Sequence, residues 1–325
     1  NTQVETTVQF PQRLSETGLF ADTKTLTPKP GVIQYGINAK GWFDNATSTR
    51  LVAIPERTRI DLFEKTDAYK GYLKNTFKFP EGSVIAKTVS LEMERGNPKS
   101  ARRLETQILH RHNDEWRPYN YVWNVEQTDA TLAPKEGHNR VFEIKDSASP
   151  GGMRKQTWRH ASRAECTQCH NNRSANLLAF NPQQLDRNGQ IEKMQAWDWF
   201  AKPLPKKQPE IADPYDQSSP LHTRARTYLQ LNCAHCHRRG GGGTSVFEAR
   251  IELDLASTQM INHPPTQGDL GINDAMIVLG GDPYRSTLYN RMARLGPGRM
   301  PRFGSTVVDE AGLALMRDWI QAFPH

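Results

Sequence analysis

Between residues 50 and 125, apolar and polar positions alternate in short runs divided by turn-forming residues. Arg50 to Ile54, Ser83 to Leu91, Ala101 to His110 and Tyr119 to Val125 carry β-branched and aromatic residues between Pro, Gly, Asn and Asp, which predicts strands. Asn113-Asp114 predicts a hairpin turn, and Trp116, Tyr119, Tyr121 and Trp123 give a partly alternating aromatic face suited to a core. Further on the pattern changes. Leu185 to Phe200 and Leu221 to Leu231 read as helices, and Leu313 to Phe323 reads as an amphipathic one with Leu315, Met316, Trp319 and Ile320 on one face. Residues 1 to about 30, with Pro11, Pro28 and Pro30, read as an irregular lead-in. Five prolines make 203–220 a linker, and Gly240 to Gly243 a flexible loop.

Composition narrows the class. At 325 residues the chain is long enough for two cores, and 36% hydrophobic residues, 24% charged residues and a mean hydropathy of -0.71 match a soluble globular protein. No window holds the roughly 18 consecutive apolar residues of a spanning helix, so no membrane span is expected. The chain starts at Asn1 with no initiator Met or basic-then-apolar leader, which leads to the expectation of a mature, exported protein. The net charge of +7 and pI near 9.2 come from scattered Lys and Arg with no compact basic motif. That distribution disfavours nucleic acid and suits an acidic protein partner.

Four cysteines decide the chemistry. They stand as Cys166-Thr167-Gln168-Cys169-His170 and Cys233-Ala234-His235-Cys236-His237, two C-x-x-C-H units that use every cysteine. Two thiols three positions apart on one helical turn reach the two vinyl groups of a haem, and the adjacent His takes the iron. The reading is therefore two covalent haem c groups, held by Cys166, Cys169, Cys233 and Cys236, with His170 and His237 on the irons. Two C-x-x-C pairs could also close one tetrahedral zinc site, although zinc does not require a His after each pair. His235 reads as a spacer. Covalent haem attachment places the protein in the periplasm or otherwise outside the cytoplasm. There is no G-x-S-x-G, H-E-x-x-H, P-loop or Rossmann fingerprint.

Tyr228 to His237, Arg299-Met300-Pro301 and Asp309 to Phe323 resemble, in order and spacing, the small cytochrome c domain. That resemblance implies Met300 as sixth ligand of the second haem, against Met260, Met276 and Met292 as core fillers. The chain also resembles a family of uncharacterised bacterial dihaem proteins often encoded beside a parallel β-helix protein, which implies that protein as a possible partner. The resemblance rests on Leu14 to Phe20, Phe79-Pro80-Glu81-Gly82 with Lys87, Leu104-Glu105-Thr106, Tyr121 to Asn124 and Tyr228 to His237. Phe79 to Lys87 and the sheet after it are more faintly similar to cytochrome P460, where a β domain holds a c-type haem with an open distal side and a lysine linked to the macrocycle. Lys87 is read here as an ordinary strand lysine.

The sixth ligand of the first haem stays open among His110, His112, His138, His160, Met153 and Met194, or an empty position. His112 leads because a hairpin tip can project over a haem face. The fold expected is α+β: an antiparallel β-rich haem domain over 1–202, the linker 203–220, and an all-α cytochrome c domain over 221–325. Three functions follow from it. They are single-electron transfer between periplasmic redox partners, a peroxidase or small-molecule oxidoreductase with an open first haem, and a haem sensor or docking subunit.

Overall fold

A computed structural model describes residues 10–63, 76–204 and 209–324. The early strands are β1 (Phe20–Asp22), β2 (Thr27–Pro28), β3 (Ile33–Gln34), β4 (Thr47–Ala53), β5 (Asp61–Leu62) and β6 (Phe77–Lys78). They are followed by β7 (Val84–Glu92), β8 (Ala101–His112), β9 (Glu115–Trp123), β10 (Ala130–Leu132), β11 (His138–Lys145) and β12 (Met153–His160). The helices are α1 (Arg163–Cys169), α2 (Pro182–Leu185), α3 (Gln190–Ala196), α4 (Leu221–Asn232), α5 (Thr287–Met292) and α6 (Glu310–Gln321).

One antiparallel sheet of six strands, in the order β10-β9-β8-β7-β4-β3, forms the centre. The predicted hairpin closes it, since Asn113 and Asp114 take the left-handed conformations, φ 52 and 61, that such a turn demands. Because side chains alternate across a strand, the sheet has two distinct faces. Ala86, Ile108, Tyr119, Tyr121 and Trp123 bury one face against Leu14, Leu19 and Phe20. The lead-in is therefore packed core from Leu14 onward rather than irregular chain, because its apolar residues cover that face; residues 1–9 lie outside the described residues.

The other face carries two apolar clusters, Val52 and Ile85 with Phe77, Phe79 and Phe180, and Val89 and Leu91 with Ile144 and Trp158. Between them the register Arg50↔Lys87↔Gln107↔Asn120 sets a polar row across four strands. The β11–β12 hairpin, paired from His138↔His160 to Lys145↔Met153, supplies the Ile144 and Trp158 that pack there.

Two helical expectations are corrected. The helix from Leu185 to Phe200 is split into α2 and α3, because Asn188 and Gly189 between them adopt φ 49 and 67. More consequentially, an all-α cytochrome c domain over 221–325 is not seen. Only α4, α5 and α6 form there, and 233–286 runs as turns, loops and isolated bridges such as Ile261↔Val278. The reason lies in the chain: Gln259, Asn262, Gly268, Leu270, Gly271 and Asp274 all hold positive φ, and Pro264 and Pro265 interrupt any helix. The amphipathic face of α6 does pack as read, with Leu315, Met316, Trp319 and Ile320 buried against Ala225, Tyr228 and Leu229 of α4.

The halves are also less separate than a linker suggests. Asp44, 3% exposed, accepts hydrogen bonds at 2.7–3.1 Å from Ser305 Oγ, Thr306 N, Thr306 Oγ1 and Val307 N. Trp42 N donates to Asn232 Oδ1 at 2.7 Å, and Trp42 Nε1 to Ser305 Oγ at 3.1 Å. Part of the proline-rich stretch is docked, with Ala212 N on Thr227 Oγ1 and Tyr215 Oη on Asp309 Oδ2; 205–208 lies outside the described residues.

Candidate haem sites

The first motif rides on α1. Ser162 caps that helix through Glu165 N, Glu165 returns a bond to Ser162 N, and Arg159 grips Glu165 at 2.9 Å, so the turn bearing Cys166 and Cys169 is locally fixed. His170 follows as the C-cap, and its Nδ1 lies 2.6 Å from the carbonyl of Asn176. A carbonyl only accepts, so Nδ1 carries the proton and the Nε2 lone pair is left for a metal. Burial pushes His170 down to about 4, with the Asn176 carbonyl opposing, which keeps the ring neutral as a ligand must be. Burial pushes the Cys166 thiol up to about 12.

The second motif starts where α4 ends. Cys233 is its C-cap, and His237, 8% exposed, stacks on Phe247 at 4.2 Å between ring centres. His237 Nδ1 has no hydrogen-bond partner among the described residues, and burial pushes this ring down to about 4. The loop read as flexible is a fitted wrap. A Cβ at Gly243 would stand 2.9 Å from Cys236 O and 3.0 Å from His237 Nδ1, and one at Gly241 only 2.4 Å from Cys236 O, so only glycine passes so close to the motif.

Beside this motif opens a cavity of about 500 Å³, lined by Cys233, Cys236, His237, Met292 and Met300 among others. That volume lies in the range of cofactor pockets. Met300 thus shares a cavity with the motif expected to need it, and so does Met292; Met260 is fully buried in the core of this half. The loop that carries Met300 leads directly into Ser305 to Val307, which Asp44 holds.

The two motifs meet. Ligand atoms of Cys169, His235 and Cys236 all lie within 4.8 Å of one another, and Cys169 lines the large cavity. The nearness of the two sulfurs pushes the Cys169 thiol up and pulls that of Cys236 down, and Cys236 Sγ also faces the Gln168 carbonyl. His235, read as a spacer, therefore sits between the motifs, its Nδ1 buried without a partner among the described residues.

Around the first motif the structure gathers different residues from those expected. Cys166 shares a hollow of about 10 Å³ with Pro118, Tyr119 and Asn120 of β9. His112 instead occupies the β8–β9 tip, five residues along β8 beyond Gln107, with its Nδ1 3.6 Å from Glu81 and its ring stacked on His110 at 5.7 Å. His112 lies three residues along β8 beyond Leu109, the partner of Pro118 in that hollow, and faces Glu81 at the hairpin tip. Met194 is buried in the Phe77 and Phe180 cluster, and Met153 is exposed at the start of β12. Glu105 and Lys87 are what sequence reasoning missed. Glu105 is 0% exposed and acts electrostatically on Cys166, while Lys87 acts on His170. The signal was present as a charged residue at an inward position of an otherwise alternating strand.

No helix among the described residues is long and apolar enough to cross a membrane. Comparison with family models, with curated proteins and with solved structures found no match.

Proposed function

We propose that the chain is a dihaem c-type cytochrome that passes single electrons between redox partners outside the cytoplasm. The observation that carries this reading is the cavity of about 500 Å³ with Cys233, Cys236, His237 and Met300 in its wall, so that two thiols, a neutral imidazole and a thioether converge on one cofactor-sized space. The His170 tautomer supports the same role for the first motif. Bound there, haem supplies a one-electron iron couple; the chain holds it by two thioethers, offers Nε2 of His170 and His237, and keeps water from the buried imidazoles. The contact between Cys169 and Cys236 supports an internal relay, since it brings both attachment points side by side. The net charge of +7 suits an acidic redox partner.

A second reading has its own observation. Cys169, His235 and Cys236 form a partial chelate that a zinc or copper ion would fill if the thiols were free. A single experiment separates the two. Protein exported from cells competent in cytochrome c maturation is analysed by intact mass, pyridine haemochrome and metal content. Two covalent haems per chain are expected, with neither C166S/C169S nor C233S/C236S retaining more than one; a haem-free chain carrying zinc or copper would overturn the cytochrome reading.

A further inference from the structure

One stretch of the second half carries charge of a single sign. Between Pro283 and Val308 stand Arg285, Arg291, Arg294, Arg299 and Arg302, with no Asp, Glu or Lys. Arg285 is paired with Asp282 at 2.8 Å. The other four have no carboxylate partner among the described residues. Three of them are tied instead to backbone carbonyls: Arg291 donates to Gly298 O at 3.0 Å and Gln267 O at 2.7 Å, Arg294 to Asn290 O at 3.0 Å, and Arg299 to Arg302 O at 3.1 Å. Arg302 is exposed beside the Phe303 ring, 5.9 Å from its centre. Asp269, on the loop that Arg291 reaches, turns back to accept from Gly271 N at 2.8 Å and pairs with none of them. A carbonyl holds a guanidinium in place without cancelling its charge, so these cations stand unneutralised.

The four gather at one place although the sequence spaces them out. Arg291, Arg299, Arg302 and Phe303 line the cavity of about 500 Å³ that has the second motif in its wall, and Arg294 and Leu295 line a smaller hollow that shares Arg299 and Met300 with it. Leu295 and Phe303 are exposed, as is Val246, next to the cavity-lining Ser245. An apolar centre within a polar rim is the anatomy of a protein interface, where arginine and aromatic residues are enriched and lysine is depleted. From Gln208 onward the chain has no lysine. A planar guanidinium takes a carboxylate through two parallel hydrogen bonds, whereas an ammonium offers a point charge. We infer that Arg291, Arg294, Arg299 and Arg302, about Leu295 and Phe303, form the docking surface for an acidic protein, whose carboxylates meet the guanidinia while an apolar spot covers Phe303. The surface stands on charge and exposure alone; that a docked partner exchanges electrons through the adjacent second motif rests on the dihaem reading.

The test uses the exported holoprotein with a small acidic blue-copper protein as probe, binding being read by titration calorimetry and electron exchange by stopped flow. At low salt the parent is expected to bind and to exchange, with both falling as salt rises. R299E/R302E should slow exchange by about tenfold and weaken binding, whereas K99E/K155E, an equal charge reversal on exposed lysines of the first half, should change both far less. The Arg302 side chain donates no hydrogen bond among the described residues, so R302E alone carries the test if the double variant does not fold. L295S/F303S should weaken binding at high salt as well, a loss that charge alone would not produce. Equal losses in the two charge reversals, or none in R299E/R302E, would overturn the surface. So would vesicles of phosphatidylglycerol that bind more tightly than the copper protein and lose that binding in R299E/R302E. Binding without electron exchange would keep the surface and overturn the dihaem reading, and a haemochrome count of two without binding would overturn the surface alone.

Discussion

Lys87 shows how one residue takes its character from its neighbours. On the polar row of β7 it lies between Arg50 and Gln107, and burial, helped by Arg50 and opposed by Glu105, pushes its ammonium from 10.5 down to about 7. Between those values the unfolded chain holds a proton that the folded chain has released, so stability rises with pH across that window and is flat, for this group, below it. Urea unfolding of the purified protein should therefore give a midpoint that increases from about pH 7 to about pH 9, and K87M should remove that increase while raising the midpoint at neutral pH. The parent and variant showing the same slope would place the titration elsewhere.

Among the elements, the loop after Met300 is the one whose place depends on distant chain. Asp44 and Asn45 turn out of the sheet region with φ 52 and 65, and the Asp44 carboxylate then collects the amides and hydroxyls of Ser305 to Val307. Truncating that carboxylate strands buried donors, at a cost of about 2–4 kcal/mol. D44A should lower the unfolding free energy by that amount, seen as a lower denaturation midpoint at an unchanged m-value, and D44N should lose less because its amide oxygen still accepts. If haem is held at the second motif as proposed, loss of Met300 ligation in D44A, seen in the near-infrared, is expected with it. An unaltered midpoint would show that the clamp contributes nothing net. The helices tell a related story: α4 and α6 hold each other through Tyr228, Met316 and Trp319, and the loops between them are held by glycines and left-handed residues rather than by further helix.

At the scale of the whole molecule, the consequence is the meeting of the two motifs across the halves. With haem c on both motifs, as proposed, one carbon–sulfur and one carbon–carbon bond would separate each cysteine sulfur from its macrocycle, and the two haem edges would lie within on the order of 10 Å of each other. Chromophores so close couple, and the Soret circular dichroism of the oxidised protein should be bisignate, collapsing to a single weak band when C233S/C236S removes one haem. A simple sum of two independent spectra would mean that the motifs separate when loaded.

Local pattern was written in the sequence: the long strands β7 to β9 with their hairpin, the helix α4 and the apolar face of α6. Those features depend on residues a few positions apart, where side-chain periodicity and turn preference act directly. The sequence pattern missed the break at Asn188-Gly189, the packed lead-in and the loop-rich character of the last hundred residues, where positive φ at many single positions outweighs helical spacing. Only the tertiary structure could bring Glu105 to His160 across 55 residues, Asp44 to Thr306 across 262, and Cys236 Sγ to Gln168 O across 68, because burial and hydrogen-bond completion are decided by what the rest of the chain packs against.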